Sequence, residues 1–160
     1  MQTLKKITHK VVKMKIGKLV LAMACVAVLS ACDSGKPPSV FSAQYSAPQS
    51  SLEVAASSNF TLPLTVKNTS TAAWDSKAAQ GPVLAAYHWL AADKKMLLVD
   101  GNRTAFATPV APNAEATIKL AVAAPKAPGD YILQVSLVQE GVSWFESKDV
   151  KPLELNIKVK

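Results

Sequence analysis

From Phe60 to the C-terminus, apolar side chains recur at every second position, the period of strands that bury one face. Phe60, Leu62, Leu64 and Val66 alternate with Thr61, Pro63, Thr65 and Lys67. Val83, Ala85, Tyr87 and Trp89 alternate with Leu84, Ala86, His88 and Leu90, and the short apolar run Met96 to Val99 follows an Asp93-Lys94-Lys95 turn. The same alternation returns at Ile118, Leu120 and Val122, at Tyr131, Leu133, Val135 and Leu137, and at Leu153, Leu155, Ile157 and Val159. No window carries a helical stripe. Turn residues separate the runs at Asn68 to Ser70, Gln80-Gly81-Pro82, Asp100-Gly101-Asn102, Ala111-Pro112-Asn113 and Ala127-Pro128-Gly129-Asp130. The pattern predicts an all-β fold, a single antiparallel sandwich of about seven strands, because a parallel sheet would need crossover helices. Pro63 cannot donate to a strand ladder, so a bulge or an edge position is expected there.

Upstream, Asp33 to Ser58 is rich in Ser, Pro, Ala and Lys and reads as a tether, extended over residues 33 to 39. Two β-like stretches inside it, Val40 to Tyr45 and Leu52 to Ala55, predict a split edge strand. The expected organisation is a leader over 1–31, an anchor, tether and edge strand over 32–58, and the sandwich over 59–160.

The leader rests on its own pattern. Met1 to Lys18 carries six lysines and no acid, and Leu19 to Leu29 is an unbroken apolar run. A basic n-region followed by an apolar h-region is a secretory signal, and the run is too short for a hydrocarbon core that needs about 20 helical residues. A start at Met14 would give a more compact signal and the same mature chain. The run closes on Leu29-Ser30-Ala31-Cys32, which resembles the lipobox of bacterial lipoproteins. That resemblance implies diacylation of Cys32, cleavage before it, and anchoring of the mature protein to a lipid bilayer. Cys25, inside the h-region without such an approach sequence, reads as a small apolar residue. Asp33 resembles the signal that retains lipoproteins of some enteric bacteria in the inner membrane, so that membrane is favoured over the outer one.

Processing changes the electrostatics. The net charge of +7 includes the six leader lysines; without them 12 Lys and Arg face 11 Asp and Glu, a net +1. Nucleic-acid binding needs a clustered basic surface, and the basic bias here belongs to the leader. Taking 31 residues from 160 leaves 129, a suitable length for one domain with a single core. With Cys32 acylated, no disulfide or thiolate cluster is expected, so the fold stands on burial and backbone hydrogen bonds.

A second resemblance covers most of Phe60 to Val159. In order come Val66-Lys67-Asn68-Thr69 with Trp74, Tyr87-His88-Trp89-Leu90, Asp100-Gly101-Asn102-Arg103-Thr104, Val110-Ala111-Pro112, Ala124-Pro125 with Pro128-Gly129-Asp130-Tyr131, and Leu137 to Phe145. Together they resemble an immunoglobulin-like module found appended to bacterial glycosyltransferases, methyltransferases and other glycan-related enzymes. The resemblance implies an accessory, ligand- or partner-binding role. In this chain the expected lipid anchor takes the place of the fused enzyme domain. Tyr131 after Pro-Gly-Asp matches the tyrosine corner of such domains, with its ring packed inward and its hydroxyl on upstream backbone.

The search for chemistry finds no catalytic set, cofactor cradle or metal cluster. His88 is the one histidine after Cys32 and is expected as a polar residue on the outer sheet face. The serines lie in tether and turns without a Gly-x-Ser-x-Gly elbow, and Glu140, Glu146 and Asp149 lack calcium-loop spacing and read as a solvated loop. A non-enzymatic role is therefore expected. Arg103, the chain's one arginine, has Glu140 as a candidate partner in a bidentate structural pair, against the reading of two unrelated exposed charges. The interaction surface is expected on Gly141 to Pro152 together with Asp100 to Thr104. Trp144 and Phe145 are its candidate partner-binding residues, because neighbours on an extended chain point opposite ways and one ring can face outward. The competing reading makes both rings plugs of the core end. The expected function is a membrane-anchored binding or adaptor module for an envelope protein or glycan, the alternative a structural subunit of an envelope complex, and the third an enzyme with an unrecognised site.

Overall fold

The period-2 pattern folds into two packed sheets. The computed structural model describes residues 37–160; the expected leader, Cys32 and Asp33 lie outside the described residues. Nine strands occur among them: β1 (Ala43–Ser46), β2 (Ser51–Val54), β3 (Asn59–Asn68), β4 (Val83–Ala91), β5 (Met96–Leu98), β6 (Glu115–Ala123), β7 (Gly129–Gln139), β8 (Ser143–Trp144) and β9 (Leu153–Val159). One sheet has the order β1-β3-β6, and the other β2-β9-β7-β4-β5, with β8 also paired to β7. This division of strands makes the domain an immunoglobulin-like β-sandwich.

Leu62, Leu64 and Val66 of β3 meet Leu133, Val135 and Leu137 of β7 in the core, together with Tyr87 and Trp89 of β4. The large rings keep their polar tips bonded, as buried Tyr and Trp must. Tyr87 Oη accepts from the backbone N–H of Ala123, and Trp89 Nε1 donates to the Ala123 carbonyl, so two β4 side chains tie one sheet to the end of β6 in the other. Trp74 Nε1 donates to the Val40 carbonyl at 2.9 Å. Tyr131 Oη donates to the Ala127 carbonyl four residues upstream while its ring packs edge-on to Trp89, the geometry of a tyrosine corner.

Several sequence expectations are refined by the pairing. The sandwich is not wholly antiparallel: β2 runs parallel to β9, from Ser51 opposite Asn156 to Val54 opposite Val159. The split edge strand belongs to both sheets, since β1 pairs with β3 and β2 with β9. Ordered pairing reaches back into the expected tether, where Ser39 and Thr71 exchange hydrogen bonds and the Phe41 ring meets Phe145. Pro63 lies opposite Lys119 in an unbroken register, and β1 covers only Thr65 to Asn68, so its missing donor falls on a locally open flank with no bulge.

Asn68 is fully buried at the end of β3. Its Nδ2 donates to the carbonyls of Ala72 and Val110, and its Oδ1 accepts from the Ser70 N–H and hydroxyl, at 2.6 to 2.9 Å. One amide thus satisfies the turn after β3 and the segment before β6 together.

Candidate functional site

The site is built on the outer face of the larger sheet, where β4, β7 and β8 lie side by side. On β4, His88 points away from the core occupied by Tyr87 and Trp89, and on β7, Ser136 points away from the core occupied by Val135 and Leu137. The turn Glu140 to Val142, with Gly141 in the left-handed region at φ 71°, returns the chain into β8. There Trp144 pairs with Val138 and shares its outer face. Phe145, one residue on, points the other way and donates its N–H to the Leu137 carbonyl.

The adjacent rings therefore separate. Phe145 is fully buried, with its centroid 5.1 Å from Phe41 and 5.9 Å from Trp74. As a partner-binding residue it is corrected: it plugs the core end and no partner can reach it. Trp144 stays partly exposed, its ring centroid 4.0 Å from His88 and the Arg103 Cζ 4.8 Å from it.

Arg103 arrives from the turn after β5. That turn seats against β4 because Gly101 has no side chain: a Cβ there would come within 2.5 Å of the Tyr87 ring and carbonyl, and the Gly101 N–H donates to that same carbonyl. Arg103 Nε donates to Glu140 Oε1 at 2.6 Å, Nη2 to Asp100 Oδ1 at 2.9 Å, and Nη1 to the Gly101 carbonyl at 2.8 Å. Burial alone would lower the guanidinium pKa, but the hydrogen bonds with Glu140 and Asp100 outweigh it and raise the value. The contact to Glu140 is end-on through Nε, with the fork divided between two acids, so the expected bidentate geometry gives way to a three-point clasp. Arg103 and Glu140 side chains retain 28% and 36% exposure, which places the pair between a surface ion pair and a buried one. Alanine at either position is expected to cost about 1 to 3 kcal/mol. Denaturant melts of both single variants and the double variant check this, and coupling near zero means that the two charges act independently.

Beneath Trp144 lies a polar cluster. His88 is buried, not exposed as the strand pattern suggested, because Trp144 and Glu146 cover the outer face that alternation assigns to it. Glu146, expected in a solvated loop, opens the short 3-10 turn Glu146–Lys148 and folds back over the sheet. Its carboxylate accepts from His88 Nε2 at 2.8 Å and from Ser136 Oγ at 2.5 Å. An ionised carboxylate only accepts, so the imidazole carries its proton on Nε2. His88 Nδ1 is buried without a hydrogen-bond partner, as is the Tyr45 hydroxyl, which lies near Ser136 and Leu137. Burial first, and the Glu146 charge, hold that phenol above its ordinary pKa.

The order of this cluster decides its chemistry. The carboxylate stands between serine and imidazole, so the His88 ring is not aligned on the Ser136 hydroxyl as in a serine–histidine–acid triad. Ser136 and His88 are also both buried. The cluster instead fixes the 3-10 turn and, through the His88 ring, the seat of Trp144. Burial opposes ionisation of Glu146, yet the His88 and Ser136 hydrogen bonds hold its pKa below the ordinary 4.5. A carboxyl whose folded pKa is depressed contributes stability that is present above its unfolded pKa and is lost as pH falls through the folded one. Native protein should therefore lose stability more steeply than Glu146→Gln as pH is lowered through and below 4.5, and pH-dependent melts of the two proteins check it.

The segments expected to form the interaction surface, Asp100 to Thr104 and Gly141 to Pro152, meet through the Arg103–Trp144 contact, with the Arg103–Glu140 pair beside it. Sequence reading missed Asn68, Ser136 and Glu146 as structural centres. Asn68 had a signal, since it stands in the Val-Lys-Asn-Thr stretch, whereas nothing in the spacing of Ser136 and Glu146 distinguishes them from surface residues. Among the described residues no group of three or more His, Cys, Asp or Glu could hold a metal ion.

No protein-family model matches the chain, and no curated protein matches it. Among solved structures the chain is similar to a CARDB domain from Pyrococcus furiosus, with 11% identity, a TM-score of 0.43, and coverage of 74% of this chain and 92% of that one. A crystal structure of that CARDB domain in complex with di-metal ions matches with 9% identity and a TM-score of 0.43, over 74% and 86% of the two chains. The C-terminal domain of Wzt matches with 12% identity and a TM-score of 0.44, over 74% and 70%.

Proposed function

We propose that this protein is a bacterial envelope lipoprotein, anchored to a bilayer through acylated Cys32, whose sandwich is a non-catalytic binding or adaptor module for a protein or glycan partner. The observation that carries the binding surface is the platform made by Trp144, Arg103, Glu140 and Asp100. Its aromatic ring contacts a guanidinium and an imidazole, so little side-chain freedom is left to lose on contact. Asp100, with 68% of its side chain exposed, and Glu140 keep acceptor oxygens for the hydroxyls of a sugar or the donors of a protein. Aromatic and arginine side chains with such surroundings are the common anchors of binding surfaces.

The anchor and the surface are tested separately. The native chain should incorporate labelled fatty acid and fractionate with membranes, whereas Cys32→Ala should accumulate as an uncleaved precursor; a soluble, correctly cut product from that variant refutes the anchor. Immobilised native protein should retain a component of envelope extract, protein or glycan, that Trp144→Ala does not. The variant should stay folded, with a loss of about 1 to 2 kcal/mol of stability for a partly exposed ring. Equal retention by the two proteins removes Trp144 from the binding surface.

A further inference from the structure

The described chain begins at one end of the sandwich. Residues 37–42 run beside the turn after β3, where the Ser39 N–H donates to Thr71 Oγ1 at 3.0 Å and the Thr71 N–H donates to the Ser39 carbonyl at 3.2 Å. β1 then starts with Ala43 opposite Asn68, the last residue of β3, and runs away from that end. Three further connections close the same end. Segment 69–82 returns to β4 with the Val83 N–H on the Asp75 carbonyl, segment 105–114 leads to β6 with the Asn113 N–H on the Asn68 carbonyl, and the 140–142 turn follows the Gln139–Val83 pair. The opposite end holds the β4–β5 turn at 92–95, the β6–β7 connection at 124–128 and Lys160.

Cys32 and Pro37 are five residues apart, a reach of at most about 18 Å. β3 alone, ten residues long, spans about 30 Å from that end to the other. A chain held in lipid at Cys32 therefore cannot stand on its far end. Lying flat would set Lys67, Glu115 and Lys119 of the smaller sheet, or Asp130, Glu154 and Lys158 of the larger, against the bilayer at a cost in lost hydration. The near end carries less charge: 37–42, 69–82 and 105–114 hold only Asp75 and Lys77, whereas Asp93, Lys94, Lys95, Lys126 and Lys160 stand at the far one. Exposed at the near end are Ala107, Thr108, Pro109 and Val142, the last at 61%. Lys148, whose Nζ lies 5.8 Å from the centre of the Phe41 ring, is exposed and forms no ion pair among the described residues, so it can answer a lipid phosphate.

We infer that this near end is a lipid-facing surface: in the anchored protein the 105–114 segment and the β7–β8 turn rest against the phospholipid headgroups of the bilayer that holds the acyl chains. The inference rests on the acylation of Cys32 proposed above and adds to it the orientation of the domain. Met96, opposite Leu90 near the far end of β4, is carried away from the bilayer together with the β4–β5 turn. Trp144, opposite Val138 and so one position from the last residue of β7, stands at the near end on the sheet face. Its platform is thereby presented to partners at the membrane surface.

The test uses the full chain, purified from membranes in detergent and placed in vesicles of phosphatidylethanolamine and phosphatidylglycerol, with and without a nitroxide on the lipid headgroup. With Cys32 acylated and Cys25 removed with the leader, an introduced cysteine is the one thiol that can take a fluorophore. Four exposed positions serve, two at each end. Labels on Thr108→Cys and Val142→Cys should dim several-fold when the nitroxide lipid is present, and labels on Lys95→Cys and Lys126→Cys should hardly change. Labelling with fatty acid in the same preparations separates the two ways to fail. In a chain that carries fatty acid, equal quenching at both ends, quenching confined to 95 and 126, or no quenching at any position overturns the lipid-facing surface and leaves the anchor standing. A chain that carries none refutes the anchor, and the surface falls with it.

Discussion

Asn68→Ala should lower the unfolding free energy by roughly 3 to 5 kcal/mol, because it removes four hydrogen bonds worth about 0.5 to 1.5 kcal/mol each and leaves the buried Ser70 N–H without an acceptor, while the Val110 and Ala72 carbonyls keep only the Trp74 N–H and the Ser70 hydroxyl. The amide is needed in full. Its nitrogen faces two carbonyls and its oxygen faces two donors of Ser70, so Asn68→Asp keeps the second pair and sets an oxygen against the first. Asp should therefore also destabilise, although its shape is nearly unchanged. Denaturant melts of native protein, Asn68→Ala and Asn68→Asp give the comparison. If Asp melts with the native protein, the amide donors are not what holds this turn. A loss of this size matters, since single domains are stable by only about 5 to 15 kcal/mol, and with cysteine only at positions 25 and 32 no disulfide can reinforce the sandwich.

Phe145→Ala should cost roughly 3 to 5 kcal/mol, the range for a large buried ring replaced by a cavity. Phe145 closes the end of the core between Phe41, from the segment before β1, and Trp74, from the loop after β3. Removing it loosens three segments of separate origin, and rings of this size bury too much area for neighbours to refill the space. Its neighbour supplies the contrast: Trp144→Ala should cost less, about 1 to 2 kcal/mol, since that ring is partly open to solvent although it covers His88 and contacts Arg103. Melts of the two variants under the same conditions measure the difference. Equal losses would mean that Trp144 is as much a part of the core as Phe145, and a binding role for it would fall with that result.

The opposite fates of these two residues show what a linear pattern carries. Alternation predicts that one ring points in and the other out, because successive side chains of a strand take opposite faces. It does not say which. That depended on the pairing of Val138 with Trp144, a register set by the Gly141 turn. Arg103 and Glu140 are similar: their chemistry suggested a pair, but the Nε contact, the share taken by Asp100 and the stacking on Trp144 arise from how the Gly101 turn docks on Tyr87.

By itself the sequence determined the sandwich, the strand positions from Phe60 to Val159, the tyrosine corner and the turns between strands. These are local properties, written in a period of two residues and in the conformational preferences of Gly, Pro, Asn and Asp. Tertiary structure alone decided that His88 is buried, that Glu146 returns over β7, that β2 joins β9 in parallel, and that Asn68 serves a carbonyl 42 residues away. The physical reason is common to all four. Alternation tells which side of a strand a residue occupies, but whether that side meets water or another segment depends on chain arriving from far along the sequence, and neither spacing nor composition records its arrival.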